Sequence, residues 1–255
     1  MINERVSLQP AYVLHTRPYR DTSALLEVFT AEHGRLSLIA KGARRSGKKG
    51  GGSSLQPFQP LLVSFSGRAD LKTLTGNETA GEAAVLRGDR LYSGLYLNEL
   101  LMRLLHRYDP HPQLFAAYGD ALVALATDAA LDPSLRRFEL VLLDELGYRL
   151  VFDVCGLSHA PVQAEACYRF DPELGLVSCA QDQYKSSGIY SGTQLQAMAA
   201  GDFSGEARHA AKRLLREALA VHLGDKPLNS RSLFRHSAAQ SGAVPERPQP
   251  DGVQG

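Results

Sequence analysis

Between residues 11 and 75 the apolar positions fall in short runs, rich in β-branched and aromatic residues and divided by turn formers. The runs at 11–16, 23–30 and 36–40 are separated by Arg17-Pro18-Tyr19-Arg20-Asp21 and by Glu32-His33-Gly34. Two more, at 60–65 and 71–75, flank Ser66-Gly67-Arg68, and the first of these is continuous and apolar enough for a buried strand. Short strands at this spacing predict a small β-barrel.

After Asn77 the apolar spacing changes to three and four. Leu91, Leu95, Leu97, Leu100, Leu101, Leu104 and Leu105 mark a helix that ends at Asp109-Pro110-His111-Pro112. A second is expected over 114–126, stopping near Asp132-Pro133, and a third over 135–146, closing on Gly147 as a C-cap. Residues 151–190 are rich in Gly, Pro, Cys and Tyr, with short strands expected at 167–170 and 176–178. Helices follow at 193–200 and 205–223, and 238–255 has the Pro, Gly, Gln and Ser content of a disordered tail. The expected division is a barrel at 1–79, a helical bundle at 80–150, a small irregular unit at 151–190, helices packing back on the bundle at 191–237, and the tail.

Composition narrows the function. At 44% apolar, 255 residues can bury packed cores, and a net charge of +1 excludes a uniformly basic coat protein. Any polyanion site is therefore local. Residues 1–90 carry 13 Lys and Arg against 8 Asp and Glu, while the remainder carries 15 against 19. Three cysteines cannot form a full disulfide framework and fit reduced thiols in a cytosolic protein. Residues 1–10 contain no apolar signal core, and no stretch approaches the ~20 apolar residues of a membrane helix. The expected location is the cytoplasm, in association with the nucleoid.

The densest charge is the segment from Lys41 through Arg44, Arg45, Lys48 and Lys49 to Ser54: five cations, no anion, and several glycines. Between two strands it could wrap a phosphate backbone; the plainer alternative is a solvated loop that aids solubility. Arg17, Arg20 and Arg35 fall at strand ends or turns of the same barrel, which favours the former. Aromatic stacking contributes roughly 1–3 kcal/mol per base in single-strand binders. Among Tyr12, Tyr19, Phe29 and Phe65, Tyr19 is the stacking candidate and Phe65 the clearest core residue.

Gly42 and Gly47 with Lys48 have the spacing of a phosphate-binding loop, but position 49 is Lys where a metal-binding hydroxyl is required, which argues against nucleotide hydrolysis. Cys155, His159, Cys167 and Cys179 lack any Cys-x2-Cys pair, so free thiols are favoured over a metal site, and no metal or other cofactor is expected. Arg136 and Arg137 adjoin a strongly apolar helix face, an arrangement that suits an acidic peptide with a hydrophobic anchor or an ordinary amphipathic helix. Lys212, Arg213 and Arg216, then Lys226 to Arg235, form a further cationic cluster that either extends a nucleic-acid path or pairs with local glutamates.

Several blocks resemble one family. They are Ala11-Tyr-Val-Leu-His-Thr-Arg-Pro-Tyr-Arg-Asp-Thr-Ser, Ala40-Lys-Gly-Ala-Arg-Arg, Leu55-Gln-Pro-Phe, Leu91-Tyr-Ser-Gly-Leu-Tyr-Leu-Asn-Glu-Leu, Leu135-Arg-Arg-Phe-Glu-Leu and Lys226-Pro-Leu-Asn-Ser-Arg-Ser-Leu-Phe-Arg. In this order they are similar to the bacterial recombination mediators of the RecO family. The resemblance implies an α+β multidomain fold: an N-terminal OB-fold, a central helical bundle, and a small zinc-finger-like region, here without a complete zinc site. It implies a non-enzymatic protein that binds single- and double-stranded DNA and anneals complementary strands. With RecR, it helps load RecA onto DNA coated by single-strand-binding protein (SSB). It further implies binding of the acidic SSB tail, carried here to Arg136 and Arg137. Two other classes stand beside it: an RNA-binding OB protein, which would prefer RNA through 2′-OH contacts, and a metal- or thiol-dependent enzyme centred on the Cys and His residues.

Overall fold

The computed structural model describes residues 4–44, 55–127, 130–180, 188–230 and 233. Five strands, β1 (Glu4–Tyr19), β2 (Ser23–Thr30), β3 (Gly34–Ala40), β4 (Pro60–Gly67) and β5 (Leu71–Thr79), close a barrel in the order β1-β2-β3-β5-β4. All pairings are antiparallel except β3 with β5. This is the expected OB-fold. Strand β1 serves both sides of the closure, pairing with β4 through its first half and with β2 through its second. Register shifts between Val6 and Gln9 and between Val13 and His15 bend it far enough to do so.

Here the structure extends the expected strand. Arg17-Pro18-Tyr19 continues β1 instead of forming a turn, and the reversal is confined to residues 20–22. Pro18 is tolerated there because it lies near the end of the strand, where a missing donor costs little.

Inside the barrel, Ala24, Leu26 and Val28 of β2 meet Leu36, Leu38 and Ala40 of β3, Leu61, Val63 and Phe65 of β4, and Ala11 and Val13. Strand β2 is also buried on its outer face. Phe29, with Leu14 of β1 and Phe58, packs into the core of helices α1 (Asp89–Leu104), α2 (Pro112–Ala126) and α3 (Leu131–Glu145). Barrel and bundle therefore share one core. Within it Tyr118 Oη donates to Asn98 Oδ1 at 2.6 Å, and Asn98 Nδ2 donates to the Leu14 carbonyl at 2.9 Å. The strand carbonyl is thus satisfied by a helix side chain, as a buried polar group requires.

Helix α3 starts earlier than Pro133 suggested, because a proline in the first helical turn removes only an N–H that has no intrahelical partner. It ends as expected. Gly147 has φ +85°, its N–H donates to the Asp144 carbonyl, and Tyr148 N–H reaches the Leu143 carbonyl, a Schellman closure.

The remaining chain forms a three-stranded sheet, β6 (Cys167–Asp171), β7 (Gly175–Cys179) and β8 (Ile189–Ser191), ordered β7-β6-β8, followed by α4 (Gly192–Ala199) and α5 (Ala207–Leu223). Strand β8 was not anticipated; it is three residues long and runs straight into α4, whose start is fixed by a capping box between Ser191 and Gln194. Phe152, Tyr168 and Leu176 share a core with Leu195, Met198 and Leu214, so the three-stranded sheet packs with α4 and α5, and α5 also sends Leu215, Ala218 and Leu219 into the core of the helical bundle. Cys167 and Cys179 are register partners across β6 and β7. At Cys155 the Ser158 hydroxyl and the backbone N–H groups of Ser158, Leu157 and Ser178, working against burial, hold the thiol down to about 7. Among the described residues no three His, Cys, Asp or Glu side chains converge as a metal site, and no helix is long and apolar enough to cross a membrane.

The chain returns from α5 to α1 through Glu99. Its carboxylate accepts from the N–H groups of Asn229 and Ser230 at 2.8 Å and from the Ser230 hydroxyl at 2.7 Å. Burial pushes the Glu99 pKa up, but these hydrogen bonds and the charge of Arg103 outweigh it and leave the group below its ordinary value. Its stabilising contribution is therefore complete above the unfolded value of about 4.3 and is lost as the pH falls through the lowered folded value. Glu99→Gln is expected to lower the melting temperature at neutral pH, with the gap from the parent narrowing as the solution is acidified through that range; thermal melts across pH check this.

Candidate nucleic-acid interface

The first site residues come together because hairpin closure and strand exit occur at the same end of the barrel. The β1–β2 reversal places Arg20 beside the segment leaving β3. Arg44 N–H donates to the Thr22 carbonyl at 3.0 Å, and Arg44 Nη1 lies 3.4 Å from the Arg20 carbonyl. Arg20 adopts φ +51°, a left-handed turn conformation, and its guanidinium lies 5.3 Å from the centre of the Tyr19 ring. Arg17, Arg20, Lys41 and Arg44 are exposed and Tyr19 is half-buried. Tyr19, Arg20, Thr22, Ser23, Ile39, Lys41 and Gly42 line a groove of about 360 Å³. Arg45, Lys48 and Lys49 lie outside the described residues.

A second groove of about 410 Å³ runs from Arg44 past His15 and Thr16 to Gln56, Pro57 and Leu95 of α1. Arg44 therefore stands between the two grooves, and helix α1 forms part of the wall of the second. His15 and Thr16 were missed from the sequence. The register shift after Val13 leaves residues 15–18 all exposed, which breaks the alternation that a strand pattern relies on.

Three of the four aromatic candidates face inward. Phe29 and Phe65 are buried, and Tyr12 packs on α2, with its ring centre 5.4 Å from Phe115 and 5.0 Å from Tyr118. Tyr19 keeps company with the cations.

Arg35, read from the sequence as a cation available to DNA, is committed elsewhere. Its Nη1 pairs with Glu27 Oε2 at 3.1 Å, while Nε and Nη2 donate to the Leu105 carbonyl at 3.2 and 3.1 Å. Glu27 Oε1 accepts from the Ser37 hydroxyl at 2.6 Å and from Arg107 at 3.1 Å. Leu105 is the C-cap of α1, so Arg35 joins the barrel to the carbonyl end of a helix, where a positive charge also meets the favourable end of the dipole. The contact needs a close approach of the chains. Gly34, at φ +63°, lies so near the Asp109 backbone that a Cβ there would stand 2.1 Å from its carbonyl oxygen.

Arg136 and Arg137 part company as well, since successive helical residues point about 100° apart. Arg137 is exposed, whereas Arg136 is 5% exposed and bonds through Nη2 to Glu139 Oε1 at 2.9 Å. The same oxygen accepts from Tyr96 Oη at 2.7 Å, and Arg136 Nε is buried without a hydrogen-bond partner. The apolar face expected to floor a peptide groove, Leu135, Phe138, Leu142 and Leu143, is instead packed in the shared core.

A closed OB barrel with a cationic mouth, joined through a common core to a helical bundle, defines a class of nucleic-acid-binding architectures. Residues 5–82 match the family model described as Recombination protein O N terminal, and residues 86–232 match the one described as Recombination protein O C terminal. Proteins named DNA repair protein RecO are similar throughout. The one from Nitrosococcus oceani is 49% identical over 231 residues, covering 90% of this chain and 93% of the relative. Those from Pseudomonas paraeruginosa and Pseudomonas putida are each 48% identical, covering 89% of this chain and 94% and 96% of the relatives. The chain belongs to the RecO family of DNA repair and recombination proteins.

Removing Arg35 tests the reassignment. Arg35→Ala leaves Glu27 without one of its two arginine partners and the Leu105 carbonyl without its donors, at a cost of about 3 kcal/mol or more. The expected outcome is a lower urea midpoint with an unchanged salt dependence of oligonucleotide binding. A reduced salt slope would return Arg35 to the contact surface.

Proposed function

We propose that this protein binds single-stranded DNA along the two barrel grooves and anneals it to a complementary strand without covalent chemistry. The observation that carries the reading is the meeting of Tyr19, Arg20, Lys41 and Arg44 at one barrel mouth, with Arg17 exposed nearby on β1. Cations there displace counterions from the phosphate backbone, so affinity falls steeply with salt, and Tyr19 offers a face for a base. Arg45, Lys48 and Lys49 lie within five residues after Arg44 in the sequence.

Pairing needs no nucleotide fuel in this reading. Two strands repel through their phosphates, and cations that offset the repulsion bring bases close enough to nucleate a duplex. Each subsequent step is then favoured by about 1.4 kcal/mol of stacking. The family resemblance adds the setting: SSB-coated DNA as substrate, RecR as partner, and RecA as the recombinase loaded afterwards. For the SSB tail, Arg137 presents an exposed charge, while Arg136 is buried against Glu139. An acidic peptide ending in a carboxylate matches the charge of Arg137.

Lys41→Ala with Arg44→Ala is expected to lower the salt slope of single-strand binding by about 2 and to slow annealing. Fluorescence titrations over a salt series read the first, and mixing of complementary labelled oligonucleotides reads the second. An unchanged slope overturns the barrel-mouth reading.

Arg137→Ala is expected to weaken binding of an SSB-tail peptide while leaving naked-strand affinity intact. Arg137 is the informative position because Arg136→Ala would leave the buried Glu139 carboxylate without its arginine, at about 3–5 kcal/mol. Equal losses of peptide and strand binding in Arg137→Ala overturn the tail assignment.

A further inference from the structure

Helix α5 buries Ala207, Ala210, Ala211, Leu214, Leu215, Ala218 and Leu219. Its other side carries Arg208, Lys212 and Arg216 at i, i+4 and i+8, about 6 Å apart along the axis, with His209 and Arg213 alongside. Arg208, His209, Arg213 and Arg216 are exposed and Lys212 half-buried, and residues 207–216 contain no acid. From the neighbouring α3, Asp132 pairs with Arg208. Burial pushes Asp132 up, but the Arg208 hydrogen bond and the charges of Lys212, Arg208 and Arg136 hold its carboxyl below the ordinary value. Glu206 and Glu217 bound the row at its two ends, and with Asp132 they are outnumbered by the five basic residues between them. Arg213 donates to the Ile189 carbonyl and lies over the Tyr190 ring, whose hydroxyl burial and Glu217 keep protonated.

Like charges four residues apart destabilise a helix, and this row accumulates that repulsion on a solvent-facing ridge. A polyanion lying along the ridge relieves it and releases its own counterions. We propose that the α5 ridge is a second site for a polynucleotide backbone, holding the complementary strand while the barrel mouth holds the first. The inference rests on the annealing reading and deepens it. A single cationic groove neutralises one strand, whereas annealing requires that a second equally charged strand be held beside it.

The test uses the full chain with Lys212→Ala and Arg216→Ala together, exposed or half-exposed helix positions at which alanine is a good helix former. Affinity for a first oligonucleotide is expected to stay within about twofold of the parent. Capture of a second, non-complementary oligonucleotide by the preformed complex is expected to fall on the order of tenfold per cation at 0.1 M salt, with annealing slowed accordingly. Unchanged second-strand capture overturns the proposal. So does a variant that captures and anneals normally but no longer binds an SSB-tail peptide, which would make the ridge a peptide surface. If the unsubstituted protein does not accelerate pairing at all, the annealing reading fails, and second-strand capture still reads the ridge separately.

Discussion

The carboxylate of Glu27 is the point at which barrel and bundle are held in register. It gathers Ser37 from its neighbouring strand, Arg35 from the same strand as Ser37, and Arg107 from the segment after α1, and Arg35 carries the link on to the Leu105 carbonyl. Apolar burial of Phe29 and Leu14 against the helices supplies the larger favourable free energy, but it is non-directional. The ionic joint is directional: it is satisfied at one relative orientation only. That orientation matters because Leu95 of α1 walls the second barrel groove, so a rotation of the bundle would change the shape of the groove proposed to hold DNA.

Helix ends explain much of where the arginines go. Arg90 donates to the Ala124 and Leu125 carbonyls at the end of α2, Arg103 to the Leu223 carbonyl at the end of α5, and Arg35 to Leu105 at the end of α1. Each satisfies carbonyls that a terminating helix leaves without intrahelical partners. Counting cations along the chain cannot separate these from cations offered to a ligand, since both uses favour the same residue type. The separation needs the fold, which leaves Arg17, Arg20, Lys41 and Arg44 at the surface and withdraws Arg35 from it.

What was legible in the sequence follows the same line. Periodicity located the barrel strands and the five helices, and Gly147 announced its Schellman closure, because these depend on neighbours within a few residues. The extension of β1 through Pro18, the exposure of His15 and Thr16, and the short β8 depend on bulges and on strand partners distant in sequence. Arg136 shows the limit most clearly. Its sequence context is shared with Arg137, yet a glutamate one helical turn on and Tyr96 from another helix draw it into the interior.

A net charge near zero is compatible with two cationic clusters because basic residues outnumber acidic ones locally, even with Asp21 beside Arg20 and Glu206 and Glu217 at the ends of the α5 row. Glu27 and Glu99 are consumed in structural contacts, and Asp132 meets its ridge only through Arg208 and the field of its neighbours. In the proposed role this balance has a purpose. A strongly basic protein would hold the finished duplex as firmly as the strands that formed it, and nothing in a fuel-free mechanism could then release it. With a handful of phosphate contacts at each surface, affinity stays sensitive to ionic strength, and the stacking of a growing duplex can exceed the grip on either strand after a few base-pair steps. The modest number of exposed cations therefore belongs to the mechanism as much as their placement does.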